Sequence, residues 1–170
     1  KGFGRLARGD LAHVPFASEA FDLVLALDVI EHLEDDVGFL RQAARLCRPG
    51  GRMLVAVPAF PILWRRHDET FGHHRRDRAA GLREVIEDAG LEIERVTHTN
   101  AFVFPAAALW RIASERLRPR DRGRAHDFFP LPGPLNGLLA ALYRLEAWWL
   151  RRGDFPFGLS LVCVARRKAA

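Results

Sequence analysis

Apolar runs and amphipathic segments alternate along this chain. Residues 23–30, LVLALDVI, form an apolar run without polar alternation, which is typical of a strand buried on both faces of a sheet. Residues 34–47 place apolar side chains on one face of a helix and acids in its first turn, and RPGG at 48–51 predicts where that helix stops. Residues 52–58, RMLVAVP, predict a second buried strand.

The second half of the chain repeats this alternation. Residues 78–89 have the spacing of an amphipathic helix, and residues 91–99 predict a strand. Two further helices are expected at about 105–117 and 134–151, and a last strand is expected at 159–167. Strands that alternate with helices predict an α/β domain whose sheet is mainly parallel.

The composition is that of a folded domain. The chain has 170 residues, and 49% of them are hydrophobic, which excludes a disordered chain. The net charge of +5 comes from 26 basic residues, nearly all of them arginines, that are spread along the whole chain. We therefore interpret the charge as solvated surface and do not expect a nucleic-acid partner.

The cysteines and the hydropathy give expectations about the redox environment of the protein and about membrane-spanning segments. Cys47 and Cys163 lie far apart and in no CxxC motif, so a reduced, cytoplasmic protein is expected. No apolar run reaches the ~18 residues that are needed to span a bilayer.

Three stretches between Asp10 and Pro58 carry a family resemblance. GDLAHVPF, FDLVLALDVIEHL and RLCRPGGRMLVAVP follow one another as in the second half of a class I S-adenosylmethionine-dependent methyltransferase of the type 11-like kind. Further along, AGLEIERV resembles the approach to that family's sixth strand and GLSLVCVAR its seventh, which is antiparallel. The resemblance implies a Rossmann-like methyltransferase fold, a mainly parallel sheet with an antiparallel last strand, and S-adenosyl-L-methionine as cofactor.

The resemblance also implies that the first part of the domain lies outside this chain. Family members hold the cofactor with a Gly-rich turn after the first strand and an acidic residue after the second. Neither is present here, and KGFG at 1–4 reads as a turn before a short strand at 5–9. We therefore expect a single methyltransferase domain over 1–170 that is N-terminally incomplete by two strand–helix units. Residues 100–154 are expected to form a helical cover on its substrate side.

The candidate cofactor site combines Asp10 with the residues that end the strand at 23–30. By resemblance, Asp10 accepts a hydrogen bond from the adenine amino group, and the backbone N–H of Leu11 donates to the ring. The alternative for Asp10 is a turn residue after a strand. Ligands of open α/β sheets bind beyond the C-terminal ends of strands, so Asp28 is expected to face cofactor or substrate. The residues expected beside Asp28 at this crevice are Val29, Ile30, Glu31 and His32.

Glu31 and His32 match the EHL of the family, but capping and packing of the next helix is an alternative role for both. The expected chemistry makes few demands on them. Methyl transfer from a sulfonium is intrinsically favourable, and an enzyme mainly has to align the reacting atoms and exclude water. A dedicated base is needed only for an acceptor that is protonated at working pH.

A second group of polar residues is HDETFGHHRRD, at 67–77. It resembles a substrate-facing segment of some of these methyltransferases. His73 is the candidate base, Asp68 is a second candidate catalytic residue, and Arg75 with Arg76 is a candidate fork for an anionic acceptor. Two alternatives remain open: a polar loop whose charges pair with one another, and a metal site built from the histidines and Asp68. Because the spacing matches no strong zinc signature, no metal is expected.

The C-terminal third contains two unusually apolar segments, at 100–112 and 134–150. They predict either a helical cover over the sheet and acceptor site, or a contact of 134–152 with a lipid-like acceptor or a membrane surface. The tryptophans and arginines at the end of the second segment are typical of an interfacial helix.

Taken together, these features predict methyl transfer from S-adenosylmethionine to a small-molecule or lipid-linked acceptor, by a cytoplasmic protein that can associate with membranes. One alternative is a non-catalytic binding module, that is, a fragment or degenerate domain that keeps the sheet edge. A weaker alternative is a metal-dependent hydrolase built on 67–77.

Overall fold

The computed structural model describes residues 8–10, 14–60, 78–109 and 132–168. Most predicted elements lie within two residues of their expected bounds, and residues 104–109, which overlap the start of the helix expected at about 105–117, are also helical. Of the short strand expected at 5–9, residues 8 and 9 have no strand structure. In chain order the elements are β1 (Phe21–Leu27), a 3₁₀ turn (Ile30–His32), α1 (Asp36–Leu46), β2 (Cys47–Pro58), α2 (Ala79–Asp88), β3 (Leu91–Thr99), α3 (Gly133–Leu150) and β4 (Ser160–Arg167).

The four described strands form one sheet in the order β1-β2-β4-β3. Strand β1 pairs with β2 in parallel, and β4 lies antiparallel between β2 and β3. As a result β1, β2 and β3 all run in one direction, and their C-terminal ends meet at one edge of the sheet. The expected fold class, with an antiparallel last strand, is confirmed.

One face of this sheet carries the core. Alternate residues of β2 and β4, such as Val55 and Cys163, are fully buried, as strand geometry requires when one face is covered. They form a single cluster with apolar residues of α1 and α2, including Leu40, Leu82 and Ile86. Both helices therefore pack on the same side of the sheet. Both cysteines lie in this core as free thiols, and burial raises the pKa of Cys163 to about 11.

The prediction that the first strand is buried on both faces is wrong. Leu23, Leu25 and Leu27 are 51%, 56% and 50% exposed, whereas Ala26 on the opposite face is buried. Strand β1 pairs only with β2 in the described sheet, and no described helix packs on the face that holds these leucines. A continuous apolar run gives the hydrophobicity of a strand but not which of its faces the tertiary structure covers.

The turn predicted at 48–51 ends α1, but it also belongs to β2. Pairing with β1 jumps from Phe21 opposite Cys47 to Leu23 opposite Arg52, so the intervening residues bulge out of the ladder. A Cβ on Gly51 would lie 2.9 Å from the carbonyl oxygen of Arg48. Any side chain at position 51 would collide with this oxygen, so the turn requires glycine there.

The exposed leucines lie on β1, which is an outer strand of the described sheet, and an exposed apolar outer strand is a template for pairing between chains. We expect the 170-residue chain, expressed alone, to be marginally stable or to self-associate. Leu25→Lys should shift it towards monomer in sedimentation velocity, because a charge on this face opposes contact between two copies. Leu109→Lys, at an exposed position on another segment, should leave the association unchanged. A sharp, concentration-independent unfolding of a monomeric parent chain would contradict the prediction.

Candidate functional site

A strained residue follows each of the three strands that point the same way. Asp28 comes directly after β1, Phe60 two residues after β2 and Asn100 directly after β3, and all three have a positive φ, of 51°, 59° and 59°. This conformation costs an L-residue roughly 1–2 kcal/mol, and such residues concentrate at functional sites. Of the three, only Phe60 is not of a type that tolerates this conformation well. The C-terminal edge of the sheet is therefore the candidate site.

Asp28 has the features of a ligand-facing residue. Its backbone N–H donates to the carbonyl oxygen of Ala56 at 3.0 Å, which ties the turn to β2. The Asp28 side chain is exposed and the neighbouring Val29 is half-buried. The structure thus places a carboxylate at the edge of the sheet where the sequence predicted one, on a backbone fixed by a neighbouring strand.

The next three residues form the 3₁₀ turn, and their side chains differ in accessibility. The side chain of Ile30 is buried in the core, so Ile30 can contact a ligand only through its backbone. Glu31 is also fully buried. His32 is half-buried, and its Nε2 lies 4.0 Å from Oε1 of Glu31. Neither Glu31 nor His32 caps the next helix. Asp35 does so, because its Oδ1 accepts the N–H of Gly38 at 2.8 Å.

Several other candidates have less structural description. Asp10 is exposed and forms an isolated β-bridge. Leu11 and the whole of 67–77, with His73, Asp68 and Arg75, lie outside the described residues. Within the described ranges, no group of three His, Cys, Asp or Glu side chains could hold a metal ion.

An aromatic cluster occupies the same edge of the sheet and was not found by sequence reasoning. The rings of Phe60 and His98 stack at 5.3 Å with an interplanar angle of 14°, and Phe104 packs on both Phe60 and Phe157 at 5.5 and 5.6 Å. His98 Nδ1 lies 3.1 Å from the carbonyl oxygen of Phe155, so this nitrogen carries the proton and donates. The signal in the sequence was the recurrence of Phe in the links around β2, β3 and β4, at AF, NAFVF and DFPFG.

A buried carboxylate attaches helix α3 to this edge. Glu146 is the only buried residue of α3, and its oxygens accept the backbone N–H groups of Asn100 at 2.6 Å and Ala101 at 2.8 Å. Hydrogen bonds to a charged acceptor are roughly twice as strong as neutral ones. Asn100 is therefore held in its strained conformation from outside, and α3 is fixed next to the aromatic cluster.

The arrangement joins an exposed carboxylate, a set of strained turns and a wall of aromatic rings at one edge of a largely parallel sheet. Open α/β sheets bind their ligands at this edge. The carboxylate suits a hydrogen-bond donor of the ligand, and the rings suit an apolar or planar group.

Comparison with known proteins finds similarity to methyltransferases in sequence and in fold. A family model described as "Methyltransferase domain" matches residues 2–55. The ubiquinone biosynthesis O-methyltransferase of Parvibaculum lavamentivorans is 48% identical over 94 residues, which cover 48% of this chain and 37% of that protein. The 27-O-demethylrifamycin SV methyltransferase of Amycolatopsis mediterranei is 30% identical over 121 residues, covering 64% of this chain and 42% of that protein.

Solved structures resemble nearly the whole chain. Phosphoethanolamine N-methyltransferase 2 of Haemonchus contortus, in complex with S-adenosyl-L-methionine, matches 95% of this chain and 36% of its own, with a TM-score of 0.51 and 14% identity. The cyclase SpnF matches 96% of this chain and 56% of its own, with a TM-score of 0.54 and 19% identity. The resemblance to class I methyltransferases is confirmed. The cyclase shows that this fold is not limited to one activity.

The chain spans less than half the length of these curated relatives, between 35% and 42% of the first three. The activity of the whole protein is therefore a matter of proposal.

The contacts of Glu146 lead to a prediction on stability. Glu146→Gln replaces one acceptor oxygen with a donor that faces backbone N–H groups. It should lower the free energy of unfolding by about 1–3 kcal/mol in urea denaturation. Hydrogen exchange of the Asn100 and Ala101 amides should also accelerate. Glu87→Gln, at an exposed position on α2, is the matched control and should change neither quantity. Unchanged exchange at both amides in Glu146→Gln would refute the anchoring role.

Proposed function

We propose that the protein containing this chain transfers a methyl group from S-adenosyl-L-methionine to a small-molecule acceptor. The observation that carries the proposal is Asp28, an exposed carboxylate on a strained turn at the C-terminal edge of the sheet, inside the segment that the methyltransferase family model matches. The cofactor supplies the reactive methyl when bound. The chain supplies the walls that orient it and keep water away.

The proposed cofactor contacts follow the order of the chain. Asp10 accepts from the adenine amino group and the Leu11 N–H donates to the ring. Asp28 and His32 present side chains at the crevice. Val29 and Ile30 contribute through the backbone, since the side chain of Ile30 is used in the core.

On the acceptor side, we assign His73 as base, Asp68 as its polar neighbour and Arg75 as the binding group for an anionic acceptor. The aromatic cluster supports an acceptor with an apolar or planar part, because Phe60 precedes the 67–77 segment by only seven residues. One similar protein is named a ubiquinone biosynthesis O-methyltransferase and another a 27-O-demethylrifamycin SV methyltransferase, which supports a small organic acceptor.

Helix α3 supports a lipid-like acceptor and a contact with a membrane surface, which we propose takes place on the cytoplasmic side. Leu138, Leu145 and Trp148 fall on one face of α3 and are 57%, 48% and 48% exposed. The guanidinium of Arg152 lies 4.1 Å from the centre of the Trp148 ring, which places a positive charge at the end of this apolar face. No described helix is long and apolar enough to cross a bilayer. A tryptophan and an arginine beside exposed leucines suit the interface of an anionic membrane.

The role of Asp28 can be separated from that of its backbone. Asp28→Gly and Asp28→Ala both remove the carboxylate, but only glycine accepts the positive φ without strain. We expect both variants of the full-length protein to bind S-adenosylhomocysteine about tenfold more weakly in calorimetry. Only Asp28→Ala should lose about 1 kcal/mol of stability. Asp22→Ala, at the exposed start of β1, is the control and should bind as the parent does.

Two results would contradict these assignments. If the full-length parent does not bind S-adenosylhomocysteine, the methyltransferase proposal fails and a binding module remains. If the parent binds and both Asp28 variants bind equally well, the proposal stands but the role of Asp28 is wrong.

The membrane contact has its own test. Trp148→Ser should lower co-sedimentation of the full-length protein with phosphatidylglycerol vesicles about tenfold, because the indole ring is the largest apolar group on the exposed face. Leu109→Ser removes an apolar side chain elsewhere that is more exposed than Trp148, and it should have little effect. Equal co-sedimentation of Trp148→Ser and the parent would refute the contact.

A further inference from the structure

A second cleft lies at the opposite end of the sheet from the candidate site. It has a volume of about 380 Å³ and is bordered by the last turns of α1, the turn between α2 and β3, and the end of β4. Arg167 on its wall pairs with Leu91, the first residue of β3, whereas Asn100 follows the last. The length of β3 therefore separates the two sites by about 25 Å.

The walls of this cleft carry four cationic side chains, from Arg41, Arg45, Arg167 and Lys168. The other lining residues are Ala44, Ala89, Gly90 and Leu91, so none of the described acidic residues lines it. Arg41 and Arg45 are one turn apart on α1 and project from the same face. The cleft therefore concentrates positive charge at this end of the sheet.

Two of these arginines are held in place without being neutralised. Arg41 donates from Nη2 to the carbonyl oxygen of Asp88 at 2.8 Å, and Arg45 donates from Nη1 to the hydroxyl of Ser18 at 2.9 Å. Both acceptors are uncharged. Among the described residues, no carboxylate makes an ion pair with Arg41 or Arg45.

Arg167 differs, because its charge is partly used inside the protein. Its Nη2 donates to Glu19 at 2.9 Å, and its Nη1 donates to the carbonyl oxygens of Arg45 and Cys47. These carbonyls lie at the C-terminal end of α1, where the helix dipole is negative. Arg167 therefore offsets the helix end and Glu19. Arg41 also meets a helix end, that of α2, but through a single bond to Asp88, so most of its N–H donors remain available to a ligand, as do those of Arg45.

We propose that this cleft binds the phosphate or pyrophosphate group of a ligand, at a site independent of the proposed methyl transfer. Guanidinium groups pair with phosphate oxygens through parallel N–H donors, and each arginine here has donors left after its internal bond. The internal bonds to Asp88 and Ser18 hold two of these groups in place before a ligand arrives, which lowers the entropy that binding has to overcome. The volume is in the range of small-ligand sites.

The test is calorimetric titration of the full-length protein with sodium pyrophosphate, together with ¹⁵N NMR mapping. Arg41→Gln/Arg45→Gln should weaken pyrophosphate binding about tenfold, because two charge-assisted bonds are lost at a partly exposed site. Arg83→Gln/Arg144→Gln removes the same charge at exposed positions outside the cleft and should change binding less than about twofold. In the parent, the Gly90 and Leu91 amides should shift on titration.

The same experiments can overturn the proposal. Absence of pyrophosphate binding, or binding that shifts neither amide, would refute the site. The arginines would then serve only to bind carbonyls at the helix ends. Equal loss in the two double variants would show diffuse attraction to a basic surface and would equally refute a site. The amide shifts also keep the test decisive if the cleft variant folds poorly, since they are measured on the parent.

A further arm separates the two sources of such a phosphate. If phosphatidylglycerol vesicle binding falls in Arg41→Gln/Arg45→Gln, the phosphate belongs to a lipid headgroup. If vesicle binding is unchanged while pyrophosphate binding falls, the ligand is a free phosphorylated molecule.

Discussion

The position of β4 between β2 and β3 is the constraint on which the rest of the structure depends. Leu161, Cys163 and Ala165 of β4 are fully buried and pair on both sides with strands that lie far away in the sequence. This double pairing brings β3 into the sheet in the same direction as β2. Without it, Asn100 would not lie at the edge that holds Asp28 and Phe60, and the aromatic cluster could not form.

The same constraint gives the two ends of the sheet different chemistry. At the C-terminal edge, strained turns and aromatic rings gather around an exposed carboxylate, and Glu146 holds one of those turns from α3. At the other edge, β4 ends in Arg167 against the ends of α1 and α2, and the arginines of α1 face the gap between them. Methyl transfer is proposed for the first edge because ligands of this fold bind there. The second edge is open to an unrelated ligand.

Much of the fold could be predicted from the sequence. The strands at 91–99 and 160–167 and the helix at 133–150 were predicted to within one residue, because their apolar periodicity and glycine stops are local signals. The burial of β1 was predicted wrongly, because the apolarity of Leu25 does not show which elements cover it. The start of β2 was missed because RPGG signals a turn and does not reveal that its residues re-enter a strand as a bulge.

For the site, the sequence by itself determined which residues are chemically able to act. Asp28 after an apolar strand, the methyltransferase motifs around it and the polar segment at 67–77 are all local patterns, and local patterns are readable without coordinates. Only the tertiary structure decided what meets at one edge. Three contacts join segments that are up to 126 residues apart in the sequence. They are the stacking of Phe60 on His98, the hydrogen bonds of Glu146 to the Asn100 turn, and the cleft shared by Arg41, Arg45 and Arg167. Such contacts follow from strand order and from which face of a helix is turned inward, and both are set by the packing of the whole chain.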